Sequence, residues 1–374
     1  MTTDPCTEAA LTHTRPPRPL IPLLLLMACL ATVLTACRGD APAHTTRFET
    51  FGAAADLTIV GIDRHLAEEV SQRIRRELDV LDRVSWTPGG GSLARVNQLL
   101  PSGEPFIAPP AIRPLVAKSQ RLAEQSGHLF NPAAGFLTDI WGFDRDPPRG
   151  PPPDPATIRQ YLEHAPTMAD VRIEGLEMVG TNPTTQLDFG GIARGHAIDL
   201  AIESLREAGI RHAQLRIGDG VRAIGDRTGR PWRIAIRRAG GGGVFGIVEL
   251  RGDESLFTAG DHQRTYLHGG RVYHHILDPR TGSPAHGVRA VTVIHSEAAT
   301  ADAAAHALFI AGPEGWWSVA AAMGVDQVVV FDGAGRVQMT PAMAARLEPL
   351  DGRQPILVSP PLTAVGKEQG SGTR

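Results

Sequence analysis

His275, Asp278, Arg280 and Thr281 sit in one short stretch, Tyr273-His274-His275-Ile276-Leu277-Asp278-Pro279-Arg280-Thr281-Gly282. Its first half alternates like a strand end, and Pro279 and Gly282 then impose a turn that displays the four side chains close together. A base, a carboxylate, a guanidinium and a hydroxyl are expected to converge there. Histidine titrates nearest neutrality and arginine offers a planar fork of donors, so the set suits phosphoryl chemistry. A second stretch, Leu187-Asp188-Phe189-Gly190-Gly191-Ile192-Ala193-Arg194-Gly195, reads as a strand end, paired glycines that admit close backbone approach, and the start of a helix. A helix N-terminus beside Arg194 suits an anion. Asp302 and His306 lie four apart on one helix face, a spacing at which carboxylate and imidazole can share a cation. Taken singly, each has a plainer reading: a polar hairpin, a glycine turn, an exposed pair on a helix.

Periodicity supplies the elements that must position these groups. Leu66, Val70, Ile74, Leu78 and Leu81 recur at helical spacing from about His65 to Val84, and a second amphipathic helix runs from about Ala111 to Gln125, with Gly127 behind it. Further helices are expected from Ala193 to about Glu207, from Glu297 to Ala311 and near Glu314 to Met323. Strands are expected at Ala53 to Ile62, His212 to Ile217, Val221 to Ile224, Trp232 to Arg237 and Val244 to Leu250. Others follow at Gln263 to Leu267, Arg271 to Leu277, Val288 to His295 and Gln327 to Phe331, with glycine-rich turns between them. The fold class is therefore α+β, with mixed, largely antiparallel sheets flanked by helices. The glycines at 89–91 precede a short helix, but no G-K-[ST] follows, so a P-loop is not supported. Trp141 and Phe143 either wall a planar ligand or fill a core. Pro147 to Pro155 reads as an exposed, semi-rigid linker.

The chain of 374 residues carries 37 Lys and Arg against 40 Asp and Glu, a formal charge of −3, and no basic block interleaved with aromatics. Nucleic acid is therefore not expected as a partner. Arg15 and Arg18 precede an apolar run from Leu20 to about Ala36 that is short for a bilayer span, and Leu34-Thr35-Ala36-Cys37 resembles a bacterial lipobox. The expected organisation is a lipoprotein signal peptide over 1–36, Cys37 carrying lipid into a bilayer, and a tether over 37–46. A single domain over 47–345 and a tail over 346–374, disordered at its end, follow. An uncleaved signal anchor is the alternative, and both put the rest of the chain outside the cytoplasm, in the cell envelope. Cys6 and Cys29 would leave with the signal peptide, so neither a disulfide nor a thiol nucleophile is expected.

Taken in order, these pieces resemble the ApbE-type flavin transferases, FAD:protein FMN transferases. The likeness runs from about Phe51 to Met339. It rests on Ser92 through Asn97, Phe130-Asn131-Pro132, Trp141-Gly142-Phe143, Asp188 through Gly195, Gly218-Asp219, Ala259-Gly260-Asp261, His275 through Gly282, and Ala301-Asp302. The resemblance implies a T-fold-like core, FAD as substrate, and a threonine on an acceptor flavoprotein as the target, with AMP leaving. It implies FAD contacts from Phe51, Thr87, Leu129, Phe130, Asn131, Asp188, Arg194 and Ile276. It further implies Mg²⁺ ligation by the Gly191 carbonyl, Asp302 and His306, and His275 as the base, which Asp278 could orient. This sequence departs from the family pattern with Arg194 for lysine, Asn131 for aspartate, Ala259 for serine, Phe51 for methionine and Thr87 for an aromatic residue. His306 replaces an oxygen ligand, which shifts the expected preference toward Mn²⁺ or another divalent ion. Two other readings stay open here: a protein that binds or hydrolyses FAD, and an inactive assembly partner of a membrane flavoprotein complex.

Overall fold

Nine strands form one sheet whose order in space is their order along the chain. They are β1 (Ala43–Thr50), β2 (Ala53–Val60), β3 (Ala213–Ile217), β4 (Gly220–Ile224), β5 (Asp253–Gly260), β6 (Val288–His295), β7 (Gln327–Asp332), β8 (Val337–Met339) and β9 (Ile356–Val358). Each neighbouring pair is antiparallel except β8 with β9, which is parallel. The computed structural model describes residues 41–85, 91–350 and 354–362. The expected signal peptide, Cys37, the start of the tether, Trp86, Thr87 and the end of the tail lie outside the described residues.

The sheet's composition explains its place. In β6, Val-Arg-Ala-Val-Thr-Val-Ile-His, and in β7, Gln-Val-Val-Val-Phe-Asp, nearly every residue is buried, because both faces are covered. Helices cover one face. The helix α1 (Arg64–Ser85) lays Ala67, Val70, Ile74 and Leu78 inward and packs on β1. The helices α2 (Ile112–Gln125) and α3 (Gly135–Ile140) follow, then α4 (Ala193–Glu207) and α5 (Ala298–Ala311). Alanines dominate α5, and their small side chains let it lie close on β5 and β6 and against α4. On the opposite face a three-stranded sheet of Trp232–Arg237, Val244–Leu250 and Glu348–Pro349 contributes Phe245, whose ring meets that of Phe331 edge-on at 5.1 Å.

Several boundaries differ from expectation. The supposed tether already contains β1 from Ala43. The tail is part of the domain: Glu348–Pro349 pairs with Val244–Leu250, and β9 extends the main sheet. Strand β5 escaped sequence reading because Asp-Glu-Ser-Leu-Phe-Thr-Ala-Gly opens on charges and closes on glycine, although it is central. The proline-rich segment is largely exposed, as expected, but it is not independent. Arg149 N donates to the Gly142 carbonyl at 3.3 Å, and Asp154 caps a further helix, Pro155–Glu163, that the sequence did not suggest. Trp141 and Phe143 are buried with Tyr161 and Tyr266 in an aromatic cluster beneath this segment.

Candidate active site

The chemistry-bearing residues all lie in excursions between adjacent strands of the main sheet. Asp188, Gly191 and Arg194 come from the β2–β3 excursion, His275 from β5–β6, and Asp302 and His306 from β6–β7. Except for Asp302, which is buried behind His306 and lines neither, they border two adjoining cavities. The larger, of about 530 Å³, is lined by Phe51, Asn97, Asp188, Arg194, Arg264 and His275 among others, and the smaller, of about 110 Å³, by Leu129, Phe130, Asn131, Gly191, Ile276 and His306. Thr138, Asp188, Gly190 and His275 line both, so His275 stands at their junction.

His275 is half-buried, its backbone N–H bound to the Arg264 carbonyl at 3.1 Å and its Nδ1 buried without a hydrogen-bond partner. Burial, then the neighbouring His306 and Arg194, holds its pKa well below the usual 6.5, so the ring is neutral and able to accept a proton. The expected convergence around it is only partly realised. Asp278 does not orient His275; its carboxylate accepts from the Arg280 backbone N at 2.9 Å and from Arg280 Nε and Nη2 at 3.0 and 2.8 Å. Arg280 also donates to the Ile310 carbonyl at 3.2 Å, and Thr281 is exposed. None of Asp278, Arg280 and Thr281 lines either cavity. The physical reason is local: an aspartate two residues before an arginine in a turn satisfies backbone and guanidinium together before any more distant group is reached. The turn is anchored by Trp141, whose Nε1 donates to the Gly282 carbonyl at 2.8 Å.

Asp188 receives Gly190 N at 2.8 Å and Thr138 Oγ1 at 2.7 Å, while Asn97 holds the preceding residue through paired bonds with Leu187 O and N at 2.9 and 2.8 Å. Arg194 reaches the β3–β4 turn, where a Cβ on Gly218 would lie 3.1 Å from its Nη1. The positive N-terminus of α4 is not vacant for a ligand: Gly195 N donates to Asp302 Oδ2 at 3.2 Å. Asn131 has its own logic, since its amide donates to the Pro166 carbonyl at 2.8 Å, which an aspartate could not do.

Asp302 is 1% exposed, and burial raises its carboxyl above the usual range, opposed by His306 and Arg194. Its Oδ1 lies 3.5 Å from His306 Nδ1, and that nitrogen is 2.9 Å from the Asp302 carbonyl oxygen. A carbonyl only accepts, so Nδ1 is the donor in this contact and Nε2 is the ring nitrogen it leaves unengaged. Gly191 packs against this ring, its notional Cβ 3.3 Å from His306 Cγ. Among the described residues no group of three or more His, Cys, Asp or Glu side chains forms a cation cage. Asp302, the His306 ring and the Gly191 backbone packed on that ring bring a carboxylate, an imidazole and a peptide carbonyl into one neighbourhood, donor types that suit a divalent ion taking its remaining ligands from water or phosphate.

Sequence reading missed Thr138, Gln263 and Arg264. Thr138 lies between two quoted motifs and shows itself only through Asp188. Gln263 bonds Asp219 Oδ2 and the Thr258 carbonyl, both at 3.0 Å, and Arg264 bonds the Phe143 and Arg145 carbonyls, both at 2.8 Å. Phe51 does face the larger cavity, as the first of the two residues of a tight β1–β2 turn at φ 51°, with its N–H held by Asp82 Oδ2 at 2.8 Å.

A fold of this kind with such a site has known relatives. The ApbE family model matches residues 51–329, and the chain belongs to the ApbE family. A Rhodobacter capsulatus protein named FAD:protein FMN transferase is 38% identical over 343 residues, covering 91% of this chain and 64% of that relative. The Vibrio cholerae protein of the same name is 31% identical over 266 residues, covering 67% of this chain and 77% of its own length. Among solved structures, the Pseudomonas stutzeri flavinyl transferase ApbE in its apo form matches with TM-score 0.71 at 29% identity, covering 83% of this chain and 98% of that one. The Thermotoga maritima ApbE protein matches with TM-score 0.75 at 24% identity, covering 82% and 99%, and supports the fold alone.

Proposed function

We propose that this chain is an FAD:protein FMN transferase that moves the FMN half of FAD onto a threonine hydroxyl of an acceptor flavoprotein. In the step, the threonine oxygen forms a bond to the FMN phosphorus, the bond from that phosphorus to the bridging oxygen breaks, and AMP leaves. His275 takes the hydroxyl proton. The observation that carries this reading is the position of His275, a neutral imidazole at the junction of a large cleft and a smaller one. Its Nδ1 is buried, so Nε2 is the nitrogen available to the acceptor hydroxyl, and among the described residues no carboxylate is bound to the ring. Arg194 supplies fixed positive charge on the cleft wall for a pyrophosphate, and Asp188, held by Thr138 and Gly190, fixes the other side. The Gly191 carbonyl, Asp302 and His306 would hold a divalent ion, which supplies charge neutralisation for phosphoryl transfer when bound.

The decisive experiment incubates the protein with FAD, a divalent salt and a threonine-bearing acceptor flavoprotein, and weighs the acceptor by mass spectrometry. A covalent FMN adduct is expected, formed about 10²–10⁴-fold more slowly by His275→Ala. Release of FMN and AMP with no adduct would make the protein a hydrolase instead. The envelope placement, with lipid on Cys37, belongs to this proposal as well and rests on the lipobox-like Leu34-Thr35-Ala36-Cys37.

A further inference from the structure

Helices α4 and α5 touch backbone to backbone. A Cβ on Gly195 would lie 2.5 Å from the Ala298 carbonyl oxygen and 2.7 Å from Ala299 Cα. At this crossing each helix gives first-turn N–H groups to a carboxylate on the other. Gly195 N donates to Asp302, while Ala298 N and Ala299 N donate to Asp199 Oδ1 and Oδ2 at 2.7 and 3.1 Å. The exchange is symmetrical in sequence: Asp199 follows Gly195 by one helical turn, and Asp302 follows Ala298 by one. Glu297, at the N-cap of α5, makes no capping bond, its carboxylate being turned to Thr300 and Arg121. Asp199 is therefore the cap of α5, supplied from another helix.

Asp199 is itself fixed. It is 5% exposed, paired with Arg222 Nη1, and Lys118 Nζ lies 3.6 Å from its Oδ2. Arg222, in β4, is gripped by Asp253 at the start of β5, Nε to Oδ1 at 2.9 Å and Nη2 to Oδ2 at 3.0 Å. Rigid connections thus run from the sheet through Arg222 and Asp199 to the first turn of α5, and one and two turns further along that helix stand Asp302 and His306.

We infer that Asp199 is a positioning residue for the cation seat: by holding the first turn of α5 against α4, it sets where Asp302 and His306 stand relative to Gly191. The inference rests on the reading that these three groups hold a divalent ion. Asp302 and His306 both ride on α5, while Asp302 Oδ2 is bound to Gly195 N on α4, so a small displacement of α5 strains that bond and moves both side chains relative to Gly191. Carboxylates that orient metal ligands from behind typically govern metal affinity by 10–100-fold.

The test is Mn²⁺ titration of the whole protein, read by the electron paramagnetic resonance of the free ion. Asp199→Asn keeps the shape and leaves Arg222 its Asp253 partner, and it should raise the Mn²⁺ dissociation constant about 10-fold. Asp253→Asn cuts the same ionic network while leaving both α5 N–H bonds in place. It should lower the thermal midpoint yet change the Mn²⁺ constant less than about twofold. Equal weakening by both variants, or none by Asp199→Asn, would overturn the inference. If the unsubstituted protein binds no Mn²⁺, the cation reading fails first and takes this one with it. Hydrogen exchange on the unsubstituted protein is independent of how either variant folds: Mn²⁺ should protect the Ala298 and Ala299 amides more than those of α1, because coupling between cap and seat is reciprocal. Uniform protection would sink the proposal.

Discussion

At the scale of single residues, the fold keeps ionisable groups uncharged outside the cavities as well as at them. His196, on α4 beside Asp199, is 8% exposed with an unpartnered Nδ1, and its pKa is pushed down to about 4 by burial first and Lys118 second, against Asp199. A folded-state value below the ordinary 6.5 means the unfolded chain binds the proton more readily. This contribution is therefore neutral above pH 6.5, and stability falls as pH drops from there toward 4. At pH 5 the loss is about 2 kcal/mol. Urea midpoints measured between pH 7 and 5 should fall less for His196→Gln than for the unsubstituted protein. His306 makes a second residue-scale case, since an imidazole ligand disfavours Mg²⁺ relative to Mn²⁺. Calorimetric titration should give tighter Mn²⁺ than Mg²⁺ binding, with His306→Ala abolishing the difference; tight Mg²⁺ binding indifferent to His306 would refute it. The place of His275 at the cavities agrees with a sequence reading based on its residue type and the turn that follows it. Asp278 and Arg280 misled because the same types that serve phosphate also satisfy a turn, and only geometry shows that they have satisfied each other.

At the scale of elements, legibility followed pattern strength. Helix α4 and the strands Trp232–Arg237, Val244–Leu250 and β6 have the bounds their periodicity suggested. Strand β5 and the short strands at Phe106–Ile107, Val171–Glu174 and Glu177–Gly180 did not announce themselves, being short or bounded by charges, and are specified by their partners across the sheet. The α4–α5 crossing was equally hidden. Gly195 read only as part of the start of a helix, whereas its lack of a side chain is what admits the neighbouring helix. Gly195→Ala should therefore destabilise the protein by about 1–3 kcal/mol, as overpacking against a backbone that cannot yield. Denaturant midpoints would check this, and a neutral effect would show that the helices can part without cost.

At the scale of the whole molecule, attachment and assembly are the open physical questions. With lipid on Cys37, the protein should sediment with membranes and incorporate labelled palmitate, and Cys37→Ser should leave it in the soluble fraction; a soluble unsubstituted protein would refute the anchor. Among the described residues no helix is long and apolar enough to cross a membrane, so none offers an alternative span. The nine-stranded sheet carries a further consequence, because spatial order and chain order coincide. A chain delivered N-terminus first can lay each new strand on the edge just completed, with every excursion closing as a loop whose entropic cost grows only slowly with length. The groups of the site then arrive in a fixed sequence: Asp188 and Arg194 first, His275 next, Asp302 and His306 last. A chain halted partway would have built the wall of its large cleft and would still lack Asp302 and His306, so the candidate site is complete only when the fold is nearly whole.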